Sequence, residues 1–398
     1  MQTAPKTRKK IIFHVDVNSA FLSWEAAYRI RVLGQSEDLR DIPSAIGGDV
    51  EKRHGIILAK SIPAKKYGIQ TGEPVVSALK KCPDLVLAPP NYKLYETSSE
   101  AVLKIMGEYT PKLEQYSIDE AFMDMTGWTK DPIATAYEIK DRIKNEIGCT
   151  VNVGISENML LAKMASDFEK PDKVHTLWPE EVKEKMWPLP VGDLMFIGRA
   201  TNSKLASLGI HTIGELAKMD RDILKSHFGV VGYSMHDSAN GIDDSEICDD
   251  YVANKSVGNS MTTPADVTDM KLAKQYLLML AETVSARLRS YGLKASTVTV
   301  GIRNNNLEYT NHQMRLKNAT DLTDEIYEAA CICLAQMWDG TPLRQFGIST
   351  SKIEEEETTR QLSLFDNFDY EKHKKAEKAM DELRERFGSD IVKRARLK

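Results

Sequence analysis

No stretch of this 398-residue chain comes near the ~18 consecutive apolar residues that a membrane-crossing helix requires. The opening MQTAPKTRKK is basic, but a short strand-like run holding His14 and Asp16 follows it, which is not a secretory pattern. Cysteine is scarce: five residues, at 82, 149, 248, 331 and 333, lie scattered. That spacing supports neither a disulfide framework nor a zinc site, and reads as small core residues in a reducing compartment. A net charge of −5 excludes a uniformly basic surface, while leaving room for a local one. What is present suits a folded chain: 42% hydrophobic and 28% charged residues, over a length that predicts two to four structural units.

The first clear element is IIFHVDV (11–17), a β-branched run that predicts a buried strand with Asp16 at its carboxyl end. Ser19 is placed to cap a helix over 20–31. Short strands and helices mix over 44–87, and 91–109 reads as a helix. LEQYSID and EAFMDM then read as two strands meeting at Asp119 and Glu120, in a tight hairpin. A helix over 131–147, the strand CTVNVGIS and a helix near 158–169 complete a split βαβ sheet, expected to carry its helices on one side.

The hairpin poses a problem, because adjacent strand residues point to opposite faces and like charges repel. A bend at the acid pair lets the two carboxylates converge. Asp16 and Asp119 are 103 positions apart (119 − 16), yet this sheet type makes their strands neighbours. Three crowded carboxylates are driven towards protonation unless a hard cation accepts their oxygens. Two metals ~3.5–4 Å apart form the usual clamp for in-line phosphoryl displacement. Composition and spacing alone favour the plainer reading, an Asp-Glu pair on a solvent-exposed turn.

Three motifs narrow the choice. HVDVNSAF (14–21), YSIDEAF (116–122) and VGISENMLLAKMASDFEKP (153–171), in this order and spacing, resemble the Y-family, or translesion, DNA polymerases of the bacterial polymerase IV and UmuC-like kind. The resemblance runs from the first strand to about residue 366. It implies that Asp16, Asp119 and Glu120 are catalytic metal ligands, with the Val17 carbonyl completing the shell. Two magnesium ions are implied, with manganese as a substitute. Asn18 stands where the family often has a second acid, a departure shared by UmuC-like and some Gram-positive members. Asn18, Ser19, Ala20 and Phe21 are implied to border the nucleotide, Phe21 as the steric gate that excludes a ribose 2′-hydroxyl. Lys163 matches a lysine on the triphosphate. SIPAKKYGI (61–69) matches the triphosphate clamp only in part, with Ile62 and Lys65 where a tyrosine and an arginine are common. Lys65 keeps the charge without the bidentate fork.

The same resemblance implies an α+β, multidomain right-hand polymerase. Its parts are a ferredoxin-like palm (1–28 and 90–180), small fingers (29–89) and a helix-hairpin-helix thumb (181–250). A linker (251–258), a βαβββαβ-type little finger (259–350) and a tail (351–398) follow. In the thumb, 190–217 reads as helix, glycine turn, helix; Gly198 lets its backbone approach a DNA phosphate, and Phe196 replaces a common glycine. KSVGNSMTTPADV (255–267) reads as the junction into the little finger. Residues 255–352 hold eleven Lys/Arg and nine Asp/Glu, a net of +2, and Arg303, Arg315 and Lys317 alternate along two strands that suit a phosphate-lined groove. QLSLFD (361–366) resembles the clamp-binding peptide of bacterial polymerases, with Gln361, Leu362, Leu364 and Phe365 as contacts for a sliding clamp. Beyond it, Ala376, Met380, Leu383, Phe387 and Ile391 recur at helical spacing.

The expectation is a template-directed, lesion-bypass DNA polymerase without proofreading. It takes primer–template DNA and deoxynucleoside triphosphates, and is a monomer in the cytoplasm, nucleoid-associated in a bacterium. Two rivals come from other classes. Nucleotide cyclases share paired acids on a palm, but GGD at 47–49 lacks their continuation. A non-catalytic, clamp-docking DNA-binding scaffold fits Ile62 and Lys65.

Overall fold

Twelve strands form three sheets among the described residues of this computed structural model, which are 9–48, 55–248, 254–355, 370–388 and 391–395. In chain order they are β1 (Ile12–Val17), β2 (Ser44–Gly47), β3 (Ile57–Lys60), β4 (Val86–Ala88), β5 (Leu113–Gln115) and β6 (Glu120–Asp124). Then come β7 (Val151–Ser156), β8 (Val174–Thr176), β9 (Ser256–Val267), β10 (Leu293–Asn304), β11 (Tyr309–Thr320) and β12 (Leu343–Glu355). The sheet orders are β5-β6-β1-β7-β8, β3-β2-β4 and β11-β10-β12-β9. The chain divides into two units: Met1–Gly48 with Gly55–Asp250, and a second built on Tyr251–Lys398.

In the first unit β1 runs antiparallel between β6 and β7, and only Asp16 on it is not fully buried. Apart from His14 and Asp16 the run is apolar, because both faces are covered. Phe13, Val15 and Met123 pack with residues of the helices Tyr92–Gly107 and Pro132–Glu146. On the opposite face Ile12 and Phe122 meet Met159 and Ala162 of the helix Met159–Ser166. The expectation of helices on one side therefore fails, and the all-buried pattern of β7 is its cause. Asn91 and Asp131 cap the two long helices by accepting from Leu94 N and Ala134 N, and Pro132 opens the second. Ser19, by contrast, caps nothing. It sits at φ 47°, ψ 50°, so its hydroxyl is not aimed at the first turn of Ala20–Arg31. Ser23 secures that turn instead, donating its hydroxyl to the Asn18 carbonyl at 2.6 Å.

The helix pair of the expected thumb is Arg199–Ser207 and Ile213–Lys218, turned by Gly209 at φ 77°. Thr212 and Glu215 form a reciprocal capping box on the second helix. Gly198 lies ahead of the pair in ordinary extended conformation, and a β-carbon on it would meet nothing within 4 Å. The fold itself does not require glycine there. Phe196 is the strained neighbour, at φ 70° and 79% exposed.

The second unit follows the order β-α-β-β-α-β among the described residues, four strands where five were expected. Helices Met270–Ser290 and Thr323–Met337 bury Leu277, Val284, Ile326 and Cys333 against Val298, Val300 and Ile302. Within the segment expected to be a linker and junction a strand begins at Ser256: Ser256, Val257 and Gly258 pair with Ser351, Thr350 and Ser349. Among the cysteines, Cys248 is exposed rather than a core residue.

A helix spans Tyr370–Phe387, as the spacing predicts, but its sides are reversed from the usual arrangement. Glu377 is buried, with Arg289 at 3.2 Å; Asp381 takes Arg289 at 2.6 Å, and Arg384 reaches Glu282 at 3.0 Å. Leu383 and Phe387 are exposed, as is Ile391 beyond the helix end. The clamp-peptide residues Gln361, Leu362, Leu364 and Phe365 lie outside the described residues. No described helix is long and apolar enough to cross a membrane.

Candidate active site and nucleic-acid interface

Because β1 and β6 are neighbours, Asp16 stands directly opposite Glu120, and opposite Asn152 of β7 on its other side. Asp119 occupies the turn before β6, fastened by Val17 N–H donating to its carbonyl at 3.0 Å. The Asp119 carboxylate accepts from the Ser117 hydroxyl at 2.7 Å. Tyr116 and Ser117 N–H both donate to the Glu120 carbonyl, which closes the hairpin. The bend that sequence reasoning required is thus built from one carbonyl and two amides.

Asp16, Asp119 and Glu120 border a cleft of about 590 Å³, together with Phe21, Lys65 and Lys170. Val17, Asn18, Ser19 and Ala20 line it too, as do Lys60 and Ile62. Lys163 is not on that lining; its ammonium is hydrogen-bonded to Glu120 Oε2. His14 Nε2 lies 3.1 Å from the same oxygen. The hydrogen bond from His14 is the main force holding the Glu120 carboxyl down at about 2, with Lys163 assisting against the cost of burial. Burial dominates at Asp16 and raises its pKa, although Lys170 Nζ sits 2.5 Å from Oδ2. Among the described residues no three acidic, histidine or cysteine side chains converge tightly enough to hold an ion as they stand. Asp16 and Glu120 are each turned to a lysine. The all-carboxylate donor set still suits a hard divalent cation, since ammonium groups occupy the positions where positive charge is wanted.

Lys170 carries no signal of its own in the sequence, although it lies inside the third motif. Its place depends on distant contacts. Asn152 Nδ2 donates to the Ser166 and Glu169 carbonyls at 3.0 and 2.6 Å, and Oδ1 accepts from Lys173 N at 3.3 Å. These bonds pin segment 166–173 over the strand ends. Asn18 belongs to the same network: it donates to Asn152 Oδ1 at 3.1 Å and accepts from Asp172 N–H at 2.9 Å. A carboxylate could not make the first of these bonds, which accounts for an amide at this position.

Phe21 lies flat on Tyr95, with ring centroids 4.5 Å apart and 9° between planes, and Tyr92 meets it edge-on. A ring backed by two others cannot retreat from the cleft. Lys65 ends the short helix Ile62–Lys65, on which Ile62 is 53% exposed. An isoleucine that burial does not explain marks this edge of the cleft as open to solvent.

In the second unit the register settles which side chains share a face. Val298, Val300 and Ile302 point to the helices, so their neighbours Thr297, Thr299 and Arg303 point away. Arg315 is opposite Thr297, which puts Arg315 and Lys317 on the same helix-free face as Arg303. Gln345, Ser349 and Ser351 of β12 join that face. The result is a polar surface with positive charge and no acid among these residues.

The comparisons with known proteins agree along the chain. Residues 15–167 match the impB/mucB/samB family and 254–364 match its C-terminal domain. Residues 192–243 match the thumb domain of DNA polymerase-iota. DNA polymerase IV of Clostridium acetobutylicum is 43% identical over 388 residues, covering 97% of this chain and 98% of that protein. DNA polymerase IV 1 of Bacillus subtilis is 36% identical over 391 residues, covering 97% and 93%. A solved Y-family DNA polymerase chimera, Dbh-Dpo4(243-245)-Dbh, shares the fold with a TM-score of 0.76 at 22% identity, covering 86% of this chain and 99% of its own. Identity at this level over nearly the full length decides the matter, and the scaffold reading is not favoured: the chain belongs to the impB/mucB/samB family, the Y-family of translesion DNA polymerases, as a relative of bacterial DNA polymerase IV.

Proposed function

We infer that this chain extends a DNA primer on a template by phosphoryl transfer, and that the three acids at the strand ends carry the chemistry. The observation behind this is the register that sets Asp16 against Glu120, with Asp119 in the adjoining turn and all three on the cleft that holds Phe21 and Lys65. Asp16, Asp119, Glu120 and the Val17 carbonyl are the groups that would hold divalent metal, magnesium or in its place manganese. When bound, such ions lower the pKa of the primer 3′-hydroxyl and neutralise the pyrophosphate that leaves.

The chain's own side chains do the rest. Lys65, Lys60 and Lys170 border the cleft as point cations for a triphosphate. Phe21, braced by Tyr95, fills the space of a 2′-hydroxyl. Arg303, Arg315 and Lys317 bind duplex backbone, and the open backbone at Gly198 accepts a phosphate. Gln361, Leu362, Leu364 and Phe365 tether a monomeric enzyme to a sliding clamp, which raises local DNA concentration without touching the cleft.

The test is extension of a labelled primer on undamaged and abasic templates, with and without magnesium. Magnesium-dependent extension on both is expected. DNA binding without extension would restore the scaffold reading. An internal deletion of 361–366 is expected to leave distributive synthesis intact and to abolish stimulation by the clamp.

A further inference from the structure

His14 is completely buried on the central strand β1, two positions before Asp16. Burying an imidazole inside a sheet is costly unless both nitrogens are partnered. Here both are. Nε2 lies 3.1 Å from Glu120 Oε2, and Nδ1 lies 2.8 Å from the Ser166 hydroxyl. A carboxylate only accepts, so the hydrogen between His14 and Glu120 sits on Nε2. Nδ1 of the neutral ring then accepts from the Ser166 hydroxyl, whose single hydrogen is shared between this nitrogen and the Lys163 carbonyl, each 2.8 Å away. Among the described residues no hydrogen bond reaches Glu120 Oε1, so the protein grips one oxygen of the carboxylate and leaves the second to the cleft.

This chain of contacts requires the helix Met159–Ser166 to lie very close to the sheet. Gly154, opposite His14 on β7, makes that possible: a β-carbon there would fall 1.9 Å from the Ala162 carbonyl oxygen and 2.5 Å from Ser166 N. An apolar residue at position 14 would pack as well against Phe122, whose ring is 4.6 Å from the imidazole. Packing therefore does not explain the histidine.

We propose that His14, oriented by Ser166, is a positioning residue for the polymerase reaction, fixing the carboxylate of Glu120 in the orientation in which it serves the cleft. The inference rests on the reading of Glu120 as a metal ligand. Hydrogen bonds of this kind to a ligating group are worth about 10–100-fold in metal affinity or activity.

Three replacements at one position separate positioning from packing. His14→Gln can place an amide N–H where Nε2 stands, His14→Asn is too short to do so, and His14→Leu only fills volume. Single-turnover insertion should lose about 10–100-fold in kcat for the Leu and Asn variants, with KM for the nucleotide changed less than about twofold. The Gln variant should recover most of that loss. Binding of Mn²⁺, followed by electron paramagnetic resonance on enzyme with a dideoxy-terminated primer and matched nucleotide, should weaken in the same order without any turnover. Ser166→Ala should shift both readouts in the same direction by less, and it carries the test if His14→Leu does not fold. Equal kcat losses in the Gln and Leu variants, tracking their thermal stability, would overturn the proposal, as would wild-type kcat and Mn²⁺ affinity in His14→Leu. Glu120→Gln serves as the control. If that variant extends primers and binds Mn²⁺ normally, the ligand reading itself has failed; if it is inactive while His14→Leu is normal, only the positioning role has.

Discussion

The two larger sheets of this protein put their polar groups to different uses. In the five-stranded sheet, β1 and β7 bury His14, Asn152 and Ser156 completely, against the habit of sheet interiors. In the four-stranded sheet apolar and polar residues alternate, with the core on the helix side and charge on the other. Its fully buried polar groups, Thr263, Thr320 and Thr350, are hydroxyls hydrogen-bonded to backbone groups of the sheet and its edge. The partners of His14 and Asn152 carry or hold the acids of the cleft, whereas Ser156 donates its hydroxyl to the Leu177 carbonyl. The second sheet does its work on an open face that nothing inside the protein supports. Chemistry built on buried polar groups is all-or-none, whereas a charged face is graded.

That contrast can be broken in order of expected effect. The largest loss belongs to Asp119→Ala, which should abolish primer extension while leaving the urea midpoint close to wild type, because its carboxylate has a single hydrogen-bond partner, Ser117. Glu120→Ala should be equally inactive and also less stable, since it strands His14 and the Lys163 ammonium. Normal extension by either variant would remove the acids from the mechanism.

Next comes Gly154→Ala, whose added methyl overlaps the backbone of the helix Met159–Ser166. A loss of about 3 kcal/mol is expected in denaturant unfolding, with activity falling as that helix is displaced. A variant of wild-type stability would show that the close approach is not needed.

Phe21→Ala should lower discrimination against ribonucleotides by about one to two decades, read as the ratio of catalytic efficiencies for dATP and ATP. Deoxynucleotide insertion should slow moderately, because Tyr95 loses the ring stacked on it. An unchanged ratio would assign the gate to another residue.

The smallest effects belong to the open face. Arg303→Ala, Arg315→Ala and Lys317→Ala should each weaken DNA binding several-fold and reduce the salt slope by about 0.9, additively and without changing stability. An all-or-none loss from any one of them would erase the contrast between the sheets.

Much of the first sheet was readable from sequence because strand and helix periods are local. The run 11–17, the helix from Ala20 and the acid hairpin follow from patterns within a dozen residues. Lys170 was not readable: a lysine before proline looks like any loop residue until Asn152, eighteen positions earlier, ties its segment down. The His14–Ser166 contact spans 152 positions and leaves no local trace. Ser19 had the right residue type for a cap, but the sharp exit from β1 forced it into a left-handed conformation. The tail helix showed its stripe clearly, yet a stripe does not say which side docks. The helix Met270–Ser290 offers Arg289 and Glu282, so the charged side was drawn in.

That docking changes what the interval before the helix is. Residues 356–369 are bounded by β12 on one side and by a helix fastened through Arg289 on the other. The proposed clamp peptide, 361–366, therefore lies in sequence between two elements of the second unit. Losing that helix would not be neutral. Stopping the chain at residue 369 would take Glu377 and Asp381 from Arg289 and open its guanidinium to water, leaving the Asp321 carbonyl as its partner. The last helix therefore contributes to the stability of the second unit, and an internal deletion of 361–366 tests the peptide without that loss.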